Sequence, residues 1–172
     1  EIASLFLPRG TEIVSMKGRH NSTSTVYKTH REPLYPNMQL LFLVDGNTAS
    51  SSEILSGAMQ DLDRAYVLGE RTFGKGLVQN VRELPFDNYL KVTTAKYYLP
   101  SGRCIQAVDY ANRQNGTTRV IPDSLTKEFR TLKGRIVRDG GGVIPDSIIS
   151  EEATYNIAGY LYLKNLYFKY AN

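Results

Sequence analysis

Scarcity narrows the reading of this chain before any motif does. Its 172 residues contain one cysteine, Cys104. That excludes an internal disulfide and leaves no set of thiols for a zinc cluster. There are two histidines, His20 and His30. Both lie in hydrophilic segments far along the chain from the candidate nucleophile described below, so they read as surface residues and disfavour a Ser-His-Asp triad. No apolar run approaches the roughly 18–20 residues of a membrane-spanning helix. No signal peptide, internal repeat or cluster with metal-ligand spacing is visible, so neither a metal nor a cofactor is expected. Charge of one sign is also scarce. The net charge is +4, from 21 basic and 17 acidic residues. The basic ones are scattered apart from small groups such as Lys127, Arg130, Lys133, Arg135 and Arg138, a pattern of solvated surface rather than a nucleic-acid footprint.

What is there suits one globular domain with a real core: 41% apolar and 22% charged residues. Residues 1–7 read as the last turns of a helix closed by Pro8 and Gly10. With neither an initiator methionine nor an N-terminal cap, the expectation is the tail of a longer polypeptide. Residues 11–16 and 24–29 are β-prone and predict a hairpin across 18–23. Residues 39–44 are nearly all apolar, as expected of a strand buried on both faces of an α/β sheet. Residues 51–62 carry Ile54, Leu55, Ala58, Met59 and Leu62 at helical spacing. A short strand over 65–69 and longer strands over 76–84 and 89–98 follow, the last two around the turn Pro85-Phe86-Asp87-Asn88. Residues 107–142 are polar and read as irregular, with 112–118 as a mobile loop. Residues 143–146 predict a strand or turn near the sheet. Residues 152–170 predict a C-terminal helix whose aromatic stripe is a packing surface.

The chemistry centres on Ser50 and Lys75. Ser50 follows the apolar run Leu40-Leu41-Phe42-Leu43-Val44 in the small-residue stretch Asp45-Gly46-Asn47-Thr48-Ala49-Ser50-Ser51-Ser52-Glu53. A serine there sits at a helix N-terminus, beside backbone N–H groups able to hold the oxygen of a tetrahedral intermediate, that of Ser51 first. Ser50-x-x-Glu53 is equally a capping box, which needs no catalysis. Lys75 sits in Gly74-Lys75-Gly76. A lysine amine, which ordinarily titrates near pH ~10.4, is a poor base at neutral pH, so a catalytic role requires burial, with Phe73 and Leu77 as the apolar wall. Gly74 and Gly76 let backbone come close. The plain alternative is an exposed lysine in a glycine turn. Gln79 falls on the same strand face as Lys75 and Leu77 and can orient the amine. Asp61 can tether the loop holding Lys75 or stand as a solvated helix end. A serine with lysine three positions on is excluded by Glu53. A phosphate loop is excluded by Gly76 after Lys75.

Taken together, residues 41–79 resemble the carboxyl-terminal processing (tail-specific) proteases. The resemblance rests on Ala49-Ser50-Ser51-Ser52-Glu53, Gln60-Asp61 and Gly69-Glu70-Arg71-Thr72-Phe73-Gly74-Lys75-Gly76-Leu77-Val78-Gln79. Thr94-Ala95-Lys96-Tyr97-Tyr98-Leu99-Pro100-Ser101-Gly102-Arg103 and Pro145-Asp146 extend it to about residue 150. It implies a Ser-Lys peptidase on a ClpP/crotonase-like α/β core, mostly β-sheet flanked by helices, of which residues 1–150 are the C-terminal part and 151–172 a helix packing on it or on a partner. It implies Ser50 as nucleophile, Lys75 as general base, Gln79 as the residue that orients the lysine and Ser51 as an oxyanion donor. A second donor from a glycine-rich loop and a substrate-capturing PDZ domain are expected upstream of residue 1. The implied function is an endopeptidase of the bacterial cell envelope, cutting exported or unfolded polypeptides near their C-termini, and possible as a homo-oligomer. The rival reading is a non-catalytic peptide- or protein-binding module on the same fold.

Overall fold

The computed structural model describes residues 1–19, 24–114, 117–149 and 156–171. A short 3-10 turn over Ile2–Leu5 leads into β1 (Glu12–Gly18) and β2 (Thr25–Lys28), which pair antiparallel as their alternation predicts. His20 and most of the connection between them lie outside the described residues. Next come β3 (Leu41–Val44), helix α1 (Ser51–Asp61) and β4 (Tyr66–Gly69), a parallel crossover unit with Leu41 opposite Tyr66 and Val44 opposite Gly69. β5 (Leu77–Leu84) and β6 (Asn88–Tyr98) form a long antiparallel hairpin that adds to β1, giving a four-stranded sheet in the order β2-β1-β6-β5.

Beyond it lie two small hairpins, β7 (Val108–Gln114) with β8 (Thr117–Val120), and β9 (Glu128–Arg130) with β10 (Ile136–Arg138). β11 (Ser147–Ile148) then joins β4 in parallel, completing the three-stranded sheet β11-β4-β3. Helices α2 (Asn156–Leu163) and α3 (Leu166–Ala171) end the chain. The mixed α/β fold expected from the resemblance is the one observed.

Helix α1 places the site because it is seated between two buried clusters, one met at Gly57 and the other through Leu55 and Met59. Val44, Val67, Leu99, Ile105 and Val143 form one buried cluster, and Ala3, Leu7, Met59 and Ala65 form another. Phe42 packs against both. Gly57 is required at mid-helix, because a Cβ there would stand 2.5 Å from Leu99 Cδ1 and 3.0 Å from Val143 Cγ2. A glycine costs a helix interior about 1 kcal/mol relative to alanine. Here it permits the close seat of α1 on the first cluster.

Three expectations are corrected. β3 is not buried on both faces: Leu41 is 57% and Leu43 76% exposed. It is an edge strand of its sheet, and among the described residues that face has no cover. The 107–142 stretch is not irregular, since much of it pairs as the two antiparallel hairpins β7–β8 and β9–β10. Residues 115–116 of the expected loop lie outside the described residues, but strands run up to it on both sides. The C-terminal helix is two helices, broken where Asn165 takes φ 56. Its residues 152–155 lie outside the described residues. Tyr160, Tyr162, Leu163 and Tyr170 are exposed.

Candidate active site

The turn from β3 into α1 forces an unusual backbone. Ser50, at the N-cap, has φ 57 and ψ −117, a region that favours glycine and costs other residues on the order of 1–3 kcal/mol. Two devices hold it there. Asp45 collects the N–H groups of Asn47 and Thr48 and the Thr48 hydroxyl on one oxygen. The Thr48 hydroxyl bond and the two amides keep the Asp45 carboxyl below its ordinary pKa. The predicted capping box is also present: the Ser50 side chain accepts from the Glu53 N–H, and the Ser50 N–H donates to Glu53 Oε2 at 2.9 Å.

Glu53 does more than cap. It is fully buried, and its Oε2 also accepts the N–H of Lys75 at 2.8 Å. Its Oε1 accepts the Gly74 N–H at 2.7 Å and the Thr72 hydroxyl at 2.5 Å. Four donors converge on two oxygens, an arrangement only an acceptor-only carboxylate satisfies. The backbone nitrogens of Ser50 and Lys75 are thus bridged by a single oxygen atom. Phe73 N–H donating to Thr48 O, and Val143 N–H donating to Thr72 Oγ1, fasten the loop on either side.

Along that loop the residues alternate. Thr72, Gly74 and Gly76 are buried, while Phe73 and Lys75 are exposed. Gly74, with φ 85, leaves no room for a Cβ, which would lie 2.3 Å from Ala107 Cβ. One at Gly76 would lie 2.8 Å from Gln106 N. The sequence-based reading of both glycines as points of close backbone approach holds. Gln106 Oε1 accepts the Gly76 N–H and Ala107 N–H donates to Gly74 O, so residues 106–107 form the floor of the lysine loop. The outward face opens into a cleft of about 230 Å³ lined by Phe73, Lys75, Leu77, Gln79, Gln106 and Val108, among others.

The structure therefore brings the backbones of Ser50 and Lys75 together through Glu53, and Lys75 and Gln79 together in one cleft, whose lining does not include Ser50. The register shift between Val78 and Gln79, where β6 carries an extra residue, lies beside it. Ser51 is the first residue of α1, so its N–H belongs to the group without an intrahelical acceptor. The expected burial of Lys75 is not found: inward positions go to the small residues that contact Glu53 and 106–107, which turns the lysine and Phe73 outward. Phe73 is 57% exposed. Asp61 neither tethers this loop nor faces solvent. It is fully buried, accepts the Ser101 N–H at 3.0 Å and pairs with Arg103 at 2.8 Å. His30 is exposed, with its Nδ1 3.4 Å from Ser4 Oγ, and none of its hydrogen bonds reaches Ser50.

Comparison with known proteins places this geometry. The model of peptidase family S41 matches residues 1–123. The chain belongs to that family. A carboxy-terminal-processing protease of Bartonella bacilliformis is 39% identical over 107 residues, 62% of this chain and 24% of that protein. A chloroplastic carboxyl-terminal-processing peptidase of Arabidopsis thaliana is 39% identical over 129 residues, 75% of this chain and 24% of that protein. Among solved structures, a photosystem II D1 C-terminal processing protease superposes with a TM-score of 0.61 at 27% identity, over 87% of this chain and 30% of that one. This S41 chain spans about a quarter of the length of the curated relatives.

In the sequence of this S41 chain Glu53 has no role beyond half of a capping box, Thr72 is a motif residue without a role of its own, and Gln106 carries no signal. The signal for Glu53 was available as a carboxylate forced inward by the same helical register that buries Ser56, Gly57 and Gln60. Glu53→Gln is expected to destabilise the protein by about 1–3 kcal/mol, the usual cost of a buried donor left without an acceptor. With the amide oxygen kept on Ser50 and Lys75, the Thr72 hydroxyl can turn to accept from the new NH2, but the Gly74 N–H cannot. Urea unfolding of parent and variant checks this, and an unchanged midpoint would contradict it.

Proposed function

We propose that this chain is the C-terminal part of the catalytic domain of a serine endopeptidase that cuts exported or unfolded polypeptides near their C-termini. Residues 151–172, which include α2 and α3, serve for packing on that domain or a partner. The observation that carries this reading is the single Glu53 carboxylate shared by the backbones of Ser50 and Lys75. It joins a strained helix-capping serine to an outward-facing lysine, an expensive arrangement for a surface turn and a useful one for a nucleophile and its base.

In this reading Ser50 Oγ attacks the substrate carbonyl carbon and Lys75 Nζ takes its proton. The Ser51 N–H, at the positive end of α1, holds the developing oxyanion. Lys75 then returns the proton to the leaving amine, and later removes one from the water that hydrolyses the acyl-enzyme. Gln79 accepts from the amine and directs it along the cleft. Lys75 is exposed, so the polypeptide supplies the missing cover: seated over the cleft, it excludes water from the amine. A PDZ domain capturing substrate tails, a second oxyanion donor and a location in the bacterial cell envelope complete the proposal, as does assembly into a homo-oligomer.

The test is covalent capture. A biotinylated fluorophosphonate, incubated with the full-length protein at near-neutral and mildly alkaline pH, is expected to add to the tryptic peptide containing Ser50. No labelling of Ser50 at any of these pH values would favour a non-catalytic binding module instead.

A further inference from the structure

The polar stretch that follows residue 103, to which the sequence assigns no role, folds back against the start of β5 and encloses a second cavity of about 350 Å³. Leu77, Gln106 and Val108 line both this cavity and the cleft holding Lys75 and Gln79. The two spaces therefore share a wall, and anything extended along the first reaches the mouth of the second. Its apolar lining comes from Leu77 at the head of β5, Val108 at the head of β7, Ile121, and Leu125, which is 72% exposed.

Cys104 also lines it, and burial pushes its thiol up, so it stays neutral and packs as a small hydrophobe. Charge is confined to a balanced set, Lys96 and Lys127 against Asp109 and Asp139. Asp139 already accepts the Lys127 N–H at 2.7 Å. A lining without net sign selects neither anions nor cations, whereas the apolar part of that lining selects by hydrophobic burial.

We propose that this cavity is a side-chain pocket for the polypeptide substrate, taking a large apolar side chain, aromatic or branched aliphatic, from the residue beside the bond that Ser50 attacks. The inference rests on the peptidase reading given above. It assigns the 107–142 stretch a function, since Val108, Ile121 and Leu125 supply walls that β5 and β6 lack. The selectivity that one apolar pocket provides is about 10–200-fold between side chains differing by a few methylenes.

The experiment uses the full-length protein and casein as an unstructured substrate, with cut sites mapped by mass spectrometry. Two synthetic peptides follow, copied from the main cut site and differing only in Phe or Ala at the position assigned to the pocket. The parent is expected to prefer Phe by about 10-fold or more in kcat/KM. Thr93→Trp, on exposed β6 at the cavity lining, and Cys104→Phe, which fills the interior, are each expected to bring the Phe-to-Ala ratio down towards one. Because Thr93 is exposed, its variant keeps the test valid if Cys104→Phe does not fold. A parent without preference, or a ratio that neither variant changes, would overturn the pocket while leaving the peptidase reading intact. Absence of cleavage that depends on Ser50 would overturn that reading itself, and the pocket with it.

Discussion

Lys75→Ala in the full-length protein is expected to abolish casein cleavage while leaving its stability unchanged. The loss should be about 10²–10⁴-fold for the base alone, and as complete as that of Ser50→Ala because the two act as one unit. The second half of the expectation comes from the structure. The Lys75 side chain faces solvent, and it is the backbone N–H, which alanine retains, that binds Glu53. Exposed substitutions of this kind change stability by about 0.5 kcal/mol or less. Paired measurements of kcat/KM and thermal midpoint therefore separate chemistry from folding. A Lys75→Ala protein that still cleaves at a comparable rate would remove lysine from the mechanism. One that fails to fold would mean the side chain carries a structural contact as well.

Arg103→Ala is expected to have the largest effect on stability. Arg103 and Asp61 are both fully buried, 2.8 Å apart. The guanidinium also donates to Gln60 Oε1 at 2.8 Å and to Arg138 O at 3.3 Å. Gln60 in turn donates to Ile144 O and Asp146 Oδ1. Removing Arg103 leaves the Asp61 carboxylate buried beside the Ser101 N–H with no countercharge. Orphaning one partner of such a pair costs about 3–5 kcal/mol, a large fraction of the roughly 5–15 kcal/mol available to a folded domain. Urea denaturation should show the fall in midpoint, and a loss below about 1 kcal/mol would contradict the argument. The double substitution Arg103→Met with Asp61→Leu should recover much of it, since the cost lies in the unpaired charge rather than in the absence of the pair.

The parts of the fold with a strong period were legible. The α1 apolar spacing, the β-prone runs of β1 and β2, the turn at 85–88 between β5 and β6 and the capping signature all placed elements where they stand. The family was legible too, because Ser50, Lys75 and Gln79 sit in a local motif whose spacing survives without tertiary knowledge. What failed depended on neighbours distant in sequence. Nothing in Leu41 and Leu43 says that one face of β3 goes uncovered. The inward face of the lysine loop is decided by residues 106–107, thirty positions away, which take the space and turn Lys75 outward. Asp61 looked like a helix end because its partner Arg103 lies beyond three strands. Glu53 was misjudged in degree rather than kind: the sequence reveals one of its acceptor contacts, and the fold adds three.

Those three added contacts change how this corner of the fold comes into being. If the start of α1 and the lysine loop were fastened separately, each could form or fray alone. With the N–H groups of Ser50 and Lys75 drawing on one carboxylate oxygen, displacement of either strips an acceptor contact in the desolvated interior from the set that holds the other. Helix start and loop are thereby coupled, and they open in one event rather than in two independent ones.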